Sequence, residues 1–123
     1  MYKRGLDAGG SEVRCAKSAS DIYTAPSPCM EIKADDPVKA HIIEDSTLDF
    51  QIKKSPCVSL IGRRFVKGAA MNQYSGDMLI CDNQTVKVTQ DVTYVNIFYA
   101  LAVDCLRRGM NDVNYQIAVC IPA

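Results

Sequence analysis

The sequence predicts a single α/β domain in which antiparallel hairpins of a mixed sheet precede one helix and one buried strand. Three observations indicate this class. A glycine pair separates two extended runs near the start, a helical apolar stripe lies near the end, and a continuous apolar run follows that stripe. The length of 123 residues and the 48% hydrophobic content suit one domain over residues 1–123.

The first extended runs, residues 3–8 and 11–17, flank Gly9 and Gly10. A glycine pair between extended runs is typical of a β-hairpin. A third extended run, residues 21–24, leads into Ala-Pro-Ser-Pro, whose prolines keep the backbone extended and donate no ladder hydrogen bond. The pattern predicts three short antiparallel strands that end in a proline-rich segment.

The middle of the chain, residues 30–88, has weaker patterns and is expected to form a small inserted subdomain. Its polar start at 30–37 indicates a loop, and a polar turn at 45–47 separates the runs AHIIED and LDFQIK as a second hairpin. The run CVSLIGRRFVKG predicts a strand pair broken at Gly62, and AAMNQY, residues 69–74, predicts a short helical turn. The paired arginines after Gly62 are interpreted as a solvated strand edge.

The helix is predicted over residues 91–108, with Thr89 or Asp91 as its cap. Two arginines in its last turn favour the negative end of the helix dipole, and Gly109 is suited to the left-handed conformation that ends a helix. Tyrosines and a phenylalanine on or beside the stripe are interpreted as core residues. The stripe itself has spacings of three and four: Val92, Val95, Phe98, Leu101, Ala102, Cys105 and Leu106.

The run YQIAVCIPA, residues 115–123, follows the helix and is typical of a strand buried on both faces. Because the sequence stops directly after it, we expect either that another chain completes this sheet or that the sequence is one piece of something longer.

Charge and hydropathy exclude several classes of partner. Fourteen basic and fourteen acidic residues balance, so no overall field attracts nucleic acid or an acidic membrane. No run of about eighteen apolar residues is long enough to span a bilayer, and the start MYKRGLDAGG has no secretory apolar core. We therefore expect a cytoplasmic protein with no direct nucleic-acid contact and no membrane contact.

The six cysteines are expected to be reduced, mostly buried thiols. They form no CxxC pair, and the single histidine, His41, has no ligand at metal-binding spacing, which argues against a zinc site. A hydrolytic triad is also excluded, because there is one histidine and no GxSxG segment.

The stretch DAGGSEVR, residues 7–14, has two interpretations. In the first it is a plain turn whose glycines supply positive φ, with Asp7 and Ser11 bonding nearby amides. In the second, the amides of Gly9, Gly10 and Ser11 cradle a phosphate. Asp7 then holds a hydrated Mg²⁺, and Arg14 reaches the phosphate charge. Neither the Walker loop nor the dinucleotide fingerprint is present.

The ordered segments DAGGSEVR, APSPC, GRRFVKGAA, YVNIFYALA and IAVCIPA together resemble the N-terminal part of actin-like ATPases, most closely the plasmid-segregation branch of the ParM/StbA type. The resemblance runs from residue 6 to residue 123, although residues 31–61 contribute little. It implies the N-terminal subdomain of the actin/ribonuclease-H-like ATPase fold. It also implies a bacterial filament-forming ATPase with a DNA-bound adaptor protein as a further partner.

The resemblance assigns roles to the same five residues. In the family pattern Asp7 lies near Mg²⁺ and reaches it through water, and Gly9, Gly10 and Ser11 surround the β- and γ-phosphates of ATP. Arg14 takes a place where lysine is more usual, and a planar guanidinium is not equivalent to an ammonium. The family's second phosphate hairpin and its adenosine segment are missing, so this chain alone is expected to bind ATP and Mg²⁺ weakly or not at all.

Two competing hypotheses remain. The chain is alternatively a self-contained α+β interaction module that dimerises through its final apolar strand and binds no nucleotide. The third hypothesis places it among the sugar-kinase and chaperone relatives that share this kind of hairpin.

Overall fold

The computed structural model describes residues 2–39, 48–82, 85–110 and 114–121. These residues form two four-stranded sheets and one α-helix, which places the chain in the mixed α+β class. Short 3₁₀ turns occupy Val58–Leu60, Gly68–Gln73 and Lys87–Thr89. The strands and helix are β1 (Tyr2–Ala8), β2 (Glu12–Ser18), β3 (Asp21–Pro26), β4 (Cys29–Ile32), β5 (Leu48–Gln51), β6 (Arg64–Lys67), β7 (Asp77–Leu79), α1 (Asp91–Arg108) and β8 (Tyr115–Cys120).

The first sheet has the order β3-β2-β1-β8. Strands β1, β2 and β3 are antiparallel neighbours, as predicted, and β3 ends at Pro26. After α1, strand β8 returns to pair parallel with β1, so that Leu6 lies beside Val119 on one side and Cys15 on the other. The hairpins and the final strand therefore belong to one sheet, with β1 at its centre.

Helix α1 covers one face of this sheet, mainly over β1 and β2. Alternate residues of β1 are buried from Arg4 onward, as period-2 side-chain alternation requires when one face is covered. The helix spans the predicted residues, and Gly109 ends it with φ of 63°. The shared core contains Leu6, Ala8, Val13, Cys15, Tyr23, Ala25, Ile97, Tyr99, Ala100 and Val103.

The predicted helix cap is wrong. Gln90 occupies the N-cap position, and no side chain caps the helix there. The Asp91 carboxylate instead accepts a hydrogen bond from Arg63 at 3.0 Å. A negative charge in the first turn still favours the positive end of the helix dipole.

The second sheet has the order β5-β6-β4-β7, with antiparallel pairing throughout, and lies within residues 29–79. Part of the predicted loop at 30–37 is instead β4. The predicted turn at Gly62 and the helical turn at Gly68–Gln73 are present. The proposed hairpin turn at 45–47 and His41 lie outside the described residues, and the inserted subdomain stays a prediction.

The first half of the predicted strand pair in CVSLIGRRFVKG is wrong, because Val58–Leu60 is a 3₁₀ turn. The Ser55 hydroxyl accepts a hydrogen bond from the Cys57 amide at 2.8 Å just before it. Such a local side-chain bond offers the backbone an alternative to a strand ladder.

The prediction that the final strand is buried on both faces is also wrong. Tyr115 is half-buried and the next five residues of β8 are exposed, including Ile117 at 37% and Val119 at 38%. The reason is its place in the sheet. Strand β8 is an edge strand, and α1 packs mainly over the neighbouring strands β1 and β2.

The paired arginines are not a solvated edge. Arg64 is 6% exposed, and its guanidinium binds both carboxylate oxygens of Asp49 at 2.8 and 2.6 Å. The hydroxyl of Tyr74 donates to the same carboxylate at 2.6 Å. Arg63 bridges Glu31 and Asp91, and therefore joins the second sheet to the start of α1.

A buried ion network fixes the end of α1 on the first sheet. Arg4 donates to one oxygen of Asp104 at 2.9 Å, and Tyr115 donates to the same oxygen at 2.6 Å. Arg108 binds the other oxygen at 2.9 Å and also reaches Asp21 at 2.9 Å. Burial alone would raise the pKa of Asp104, but these hydrogen bonds hold it below its usual range.

All six cysteines are free thiols, as predicted. Two are buried, Cys15 and Cys29, and burial raises the pKa of each to about 11. Three others are half-buried and Cys120 is exposed, so burial is less complete than expected.

Within the described residues, no helix has the length and apolar character needed to cross a membrane.

Candidate phosphate-binding hairpin

The predicted site residues lie at the turn between β1 and β2. The Gly9 amide donates to the Glu12 carbonyl at 3.0 Å, which leaves Gly10 and Ser11 as the tip of the hairpin. Strand pairing places Asp7 beside Arg14. Because Leu6 and Ala8 face α1, the side chains of Asp7 and Arg14 lie on the opposite, open face of the sheet. The structure therefore brings all five predicted residues to one hairpin.

The plain-turn interpretation is wrong about the conformation of the glycines, which it expected to have positive φ. The glycines with positive φ are Gly62, Gly68 and Gly109, so neither Gly9 nor Gly10 supplies a left-handed conformation. Gly9 is required for space instead, since a Cβ there would lie 2.9 Å from the Glu12 carbonyl oxygen. A larger residue would push the two strands apart at the start of the hairpin.

Two of the three predicted amide donors are free to bind a ligand. The Gly9 amide is used within the turn, whereas the amides of Gly10 and Ser11 have no acceptor among the described residues. The Ser11 carbonyl accepts a hydrogen bond from the Ser27 amide at 2.9 Å, which ties the tip to the segment joining β3 and β4. The tip therefore offers two neighbouring N–H groups from a held backbone.

Asp7 has a buried carboxylate oxygen, Oδ1, with no hydrogen-bond partner in the described part of the chain. An unpaired buried oxygen of this kind is costly, and each case in a folded protein needs a reason. The plain-turn interpretation predicted that Asp7 and Ser11 bond nearby amides, but neither side chain makes a hydrogen bond within the described residues. A ligand atom beside Asp7 would supply the missing partner.

Arg14 is bonded to Glu12 on the same strand. Its Nε donates to the Glu12 carboxylate at 3.0 Å, and a second guanidinium nitrogen also contacts that oxygen. Both side chains are well exposed, at 55% and 39%. An exposed pair of this kind contributes at most about 1 kcal/mol, so a phosphate can compete with Glu12 for the guanidinium.

A shallow groove of about 420 Å³ runs along the open face beside Asp7 and Arg14. Its floor includes the small residues Ala16, Gly5 and Ala118, which are neighbours across β2, β1 and β8. Ile22 and Cys120 also line it. The predicted site residues therefore border an accessible, mainly apolar surface.

Sequence reasoning missed Lys67, which lies buried behind the hairpin tip. Its ammonium donates to the carbonyl oxygens of Pro26 at 2.6 Å and Ser27 at 3.1 Å. It also bonds the Asn96 side chain, whose amide donates to the Ser27 carbonyl at 2.9 Å. No sequence pattern distinguishes this lysine, because its partners come from distant segments.

The donor set limits how a metal is held. In the described residues, no three His, Cys, Asp or Glu side chains are grouped so that they could hold a metal ion. The unpartnered oxygen of Asp7 fits a different site, since Mg²⁺ is often held by one or two carboxylates together with water and phosphate oxygens. Asp7 is the residue that would hold it, and the ion would supply charge neutralisation for the phosphates.

Comparisons of this chain with protein-family models, curated proteins and solved structures find no match.

Proposed function

We propose that the chain is the N-terminal phosphate-binding part of a bacterial actin-like ATPase, with Asp7 to Arg14 forming one side of the ATP and Mg²⁺ site. The observation that carries this proposal is the buried Asp7 oxygen without a partner, beside a hairpin tip with two free amides. A hydrated cation and a phosphate would satisfy these groups together.

The order of elements supports the same proposal. Antiparallel hairpins are followed by α1 and then by β8, which pairs parallel with β1. This is the order that the sequence resemblance implies for the N-terminal subdomain of the actin/ribonuclease-H-like fold. The second sheet, between β3 and α1, occupies the region of the proposed inserted subdomain at 30–88.

Each residue has a defined task in this proposal. Asp7 holds Mg²⁺ through water, the amides of Gly10 and Ser11 donate to phosphate oxygens, and Arg14 leaves Glu12 to bind a further oxygen. Gly9 keeps the strands close enough for the tip to form. A cleft ligand gains affinity from burial on both sides, so this one side binds ATP weakly.

The finer assignment follows the resemblance to the ParM/StbA type. It comprises assembly into filaments for plasmid segregation, a DNA-bound adaptor as partner, and a cytoplasmic location. The balanced charge supports contact with DNA through that adaptor instead of direct binding.

The test is a titration of the ¹⁵N-labelled chain with Mg·ATP, followed by NMR. We expect the amide signals of Gly10 and Ser11 to move with a millimolar Kd, and adenosine without phosphates to leave them in place. Asp7→Ala should weaken Mg·ATP binding about tenfold, since the cation loses its carboxylate. Asp35→Ala, which removes an exposed loop carboxylate, is the matched control and should bind like the wild type.

Two results would contradict the proposal. One is that the Gly10 and Ser11 signals stay in place at Mg·ATP concentrations well above the expected millimolar Kd. The other is that Asp7→Ala and Asp35→Ala bind equally well, which would remove the cation site from Asp7.

A second candidate function is a self-associating α+β module that binds no nucleotide, and the edge position of β8 favours it. Residues 115–120 contain no charged residue and no proline, the features that usually protect an edge strand. The opposite edge, β3, ends in Pro26 and begins with Asp21. Two copies of β8 can pair antiparallel without opposing like charges, and the partner is therefore a second copy of this chain.

For this candidate, Val119→Lys is expected to shift the chain from dimer to monomer in sedimentation equilibrium, because a lysine on the edge strand blocks pairing. Val58→Lys changes a residue that is 74% exposed in a turn near the second sheet, and it should leave the dimer intact. A wild-type chain that is monomeric across the accessible concentrations would exclude the module.

A further inference from the structure

Lys67 is a buried cation whose hydrogens are all engaged. It lies at the end of β6 and is only 1% exposed. The carbonyl oxygens of Pro26 and Ser27 and the side-chain oxygen of Asn96 provide three acceptors. Only the protonated form of lysine has three N–H donors, so only this form gives each of the three acceptors a hydrogen bond.

No negative charge pairs with this ammonium among the described residues. Its three acceptors are uncharged, and the Tyr99 ring lies 4.7 Å from the nitrogen, where a cation–π contact is favourable. The titratable groups packed against it are the Cys29 thiol of β4 and the Tyr99 phenol of α1, whose hydroxyl bonds Tyr23 of β3. Burial raises the pKa of Cys29 to about 11, so its thiol is neutral at physiological pH.

The same ammonium is linked to the hairpin tip through one residue. Ser27 accepts from Lys67 with its carbonyl oxygen and donates with its amide to the Ser11 carbonyl at 2.9 Å. Pro26, the other backbone acceptor, lies opposite Glu12 in the strand register. Lys67 therefore fixes the Pro26–Ser27 segment, and this segment in turn binds the hairpin tip.

We propose that Lys67 is a positioning residue for the hairpin tip and a source of buried positive charge that favours an anionic phosphoryl group there. This inference rests on the proposed phosphate-binding function for its charge role, whereas the positioning role concerns the ligand-free chain alone. The ligand class is a nucleotide phosphate that meets the amides of Gly10 and Ser11.

Loss of the Lys67 proton affects both the stability of the chain and the groups behind the hairpin tip. Burial lowers the pKa of Lys67 to about 8. The folded chain therefore releases this proton at a lower pH than the unfolded chain, whose lysine has a pKa near 10.5. Between these values the unfolded chain binds more protons, and the contribution of Lys67 to stability rises with pH. At the same time, one acceptor loses its donor and the charge behind the tip disappears.

The experiment is an NMR pH titration of the full chain from pH 7 to pH 10, with ¹³C-labelled lysine side chains and ¹⁵N-labelled amides. We expect the Lys67 signal to titrate near pH 8, and the Ser11 and Ser27 amide signals to move with the same midpoint. Added Mg·ATP should raise that midpoint. The Mg·ATP affinity should fall about three- to tenfold between pH 7.5 and pH 10 as the charge is lost.

Variants separate the roles. Lys67→Met should bind Mg·ATP with the low affinity of the high-pH wild type and should lose its pH dependence. Lys17→Met, which removes an exposed positive charge from β2, is the control and should keep both the affinity and the pH dependence. If Lys67→Met does not fold, the wild-type titration still decides the question.

The outcomes are distinct. Positioning is overturned if the Ser11 and Ser27 amides stay in place while Lys67 loses its proton, whether or not Mg·ATP binds. The charge role is overturned if Mg·ATP binds at the tip but leaves the Lys67 titration unchanged. Failure of Mg·ATP to move the Gly10 and Ser11 amides at pH 7 overturns the proposed function and the charge role, and the ligand-free titration still judges positioning.

Discussion

Replacement of Asp104 by alanine is expected to lower the free energy of unfolding by about 3–5 kcal/mol. The change removes a carboxylate that is only 7% exposed and leaves the Arg4 guanidinium, 3% exposed, without its ion partner. It also removes the acceptor of the Tyr115 hydroxyl and one contact of Arg108. Urea denaturation followed by circular dichroism at neutral pH measures the loss.

The matched control for Asp104 is Asp21→Asn, which acts on the same network at its exposed end. Arg108 reaches Asp21 at 2.9 Å, but the Asp21 side chain is 39% exposed, so a much smaller loss than for Asp104→Ala is expected. The paired replacement Arg4→Met with Asp104→Leu should recover most of the loss, because it removes the buried charges together. Equal effects of Asp104→Ala and Asp21→Asn would show that the buried pair has no special weight.

The second large effect is expected for Phe65→Ala, a loss of about 3–5 kcal/mol. Phe65 has no exposed surface and packs in the core shared by the second sheet and α1, together with Leu60, Val92 and Val95. Its ring centroid lies 5.9 Å from that of Phe50. The substitution leaves a cavity at the place where α1 meets the second sheet, and thermal or urea unfolding measures the cost.

The control for Phe65 is Val58→Ala, in the 3₁₀ turn after Cys57. Val58 is 74% exposed, so the substitution should change the free energy of unfolding by no more than about 0.5 kcal/mol. A Phe65→Ala loss below about 1 kcal/mol would mean that the neighbouring side chains collapse into the space, and that the contact between sheet and helix is plastic.

Local patterns predicted the elements that carry their own signals. The glycine pair and the proline segment bound the three hairpin strands, and the spacing of apolar residues with Gly109 at the end defines α1. These features depend on residues close in sequence. The 3₁₀ turn at Val58–Leu60 was missed, because apolar residues in a short run fit a strand and a turn equally well.

Distant partners account for what the sequence did not predict. The sequence indicated that the paired arginines are solvated. In the fold, however, Arg64 lies beside Asp49, and Arg63 lies beside both Glu31 and Asp91. Burial of the final strand was misjudged for the same reason, since composition does not tell which strand of a sheet the helix covers. The candidate site shows both cases. Its residues were identified from their order, whereas the use of the Gly9 amide in the turn and the support from Lys67 depend on tertiary contacts.

The parallel pairing of β1 with β8 has a consequence for how the chain is made. Tyr115, the partner of Tyr2, is synthesised more than a hundred positions after it. At a usual elongation rate of about 5–20 residues per second, one edge of β1 waits roughly 5–20 s on the ribosome before β8 exists. During that interval β1 pairs with β2 alone, and its other backbone groups are open to pairing with another nascent chain. Pairing so distant in sequence also slows folding, so the pairing of β8 with β1 is expected to be the last step in the assembly of this sheet.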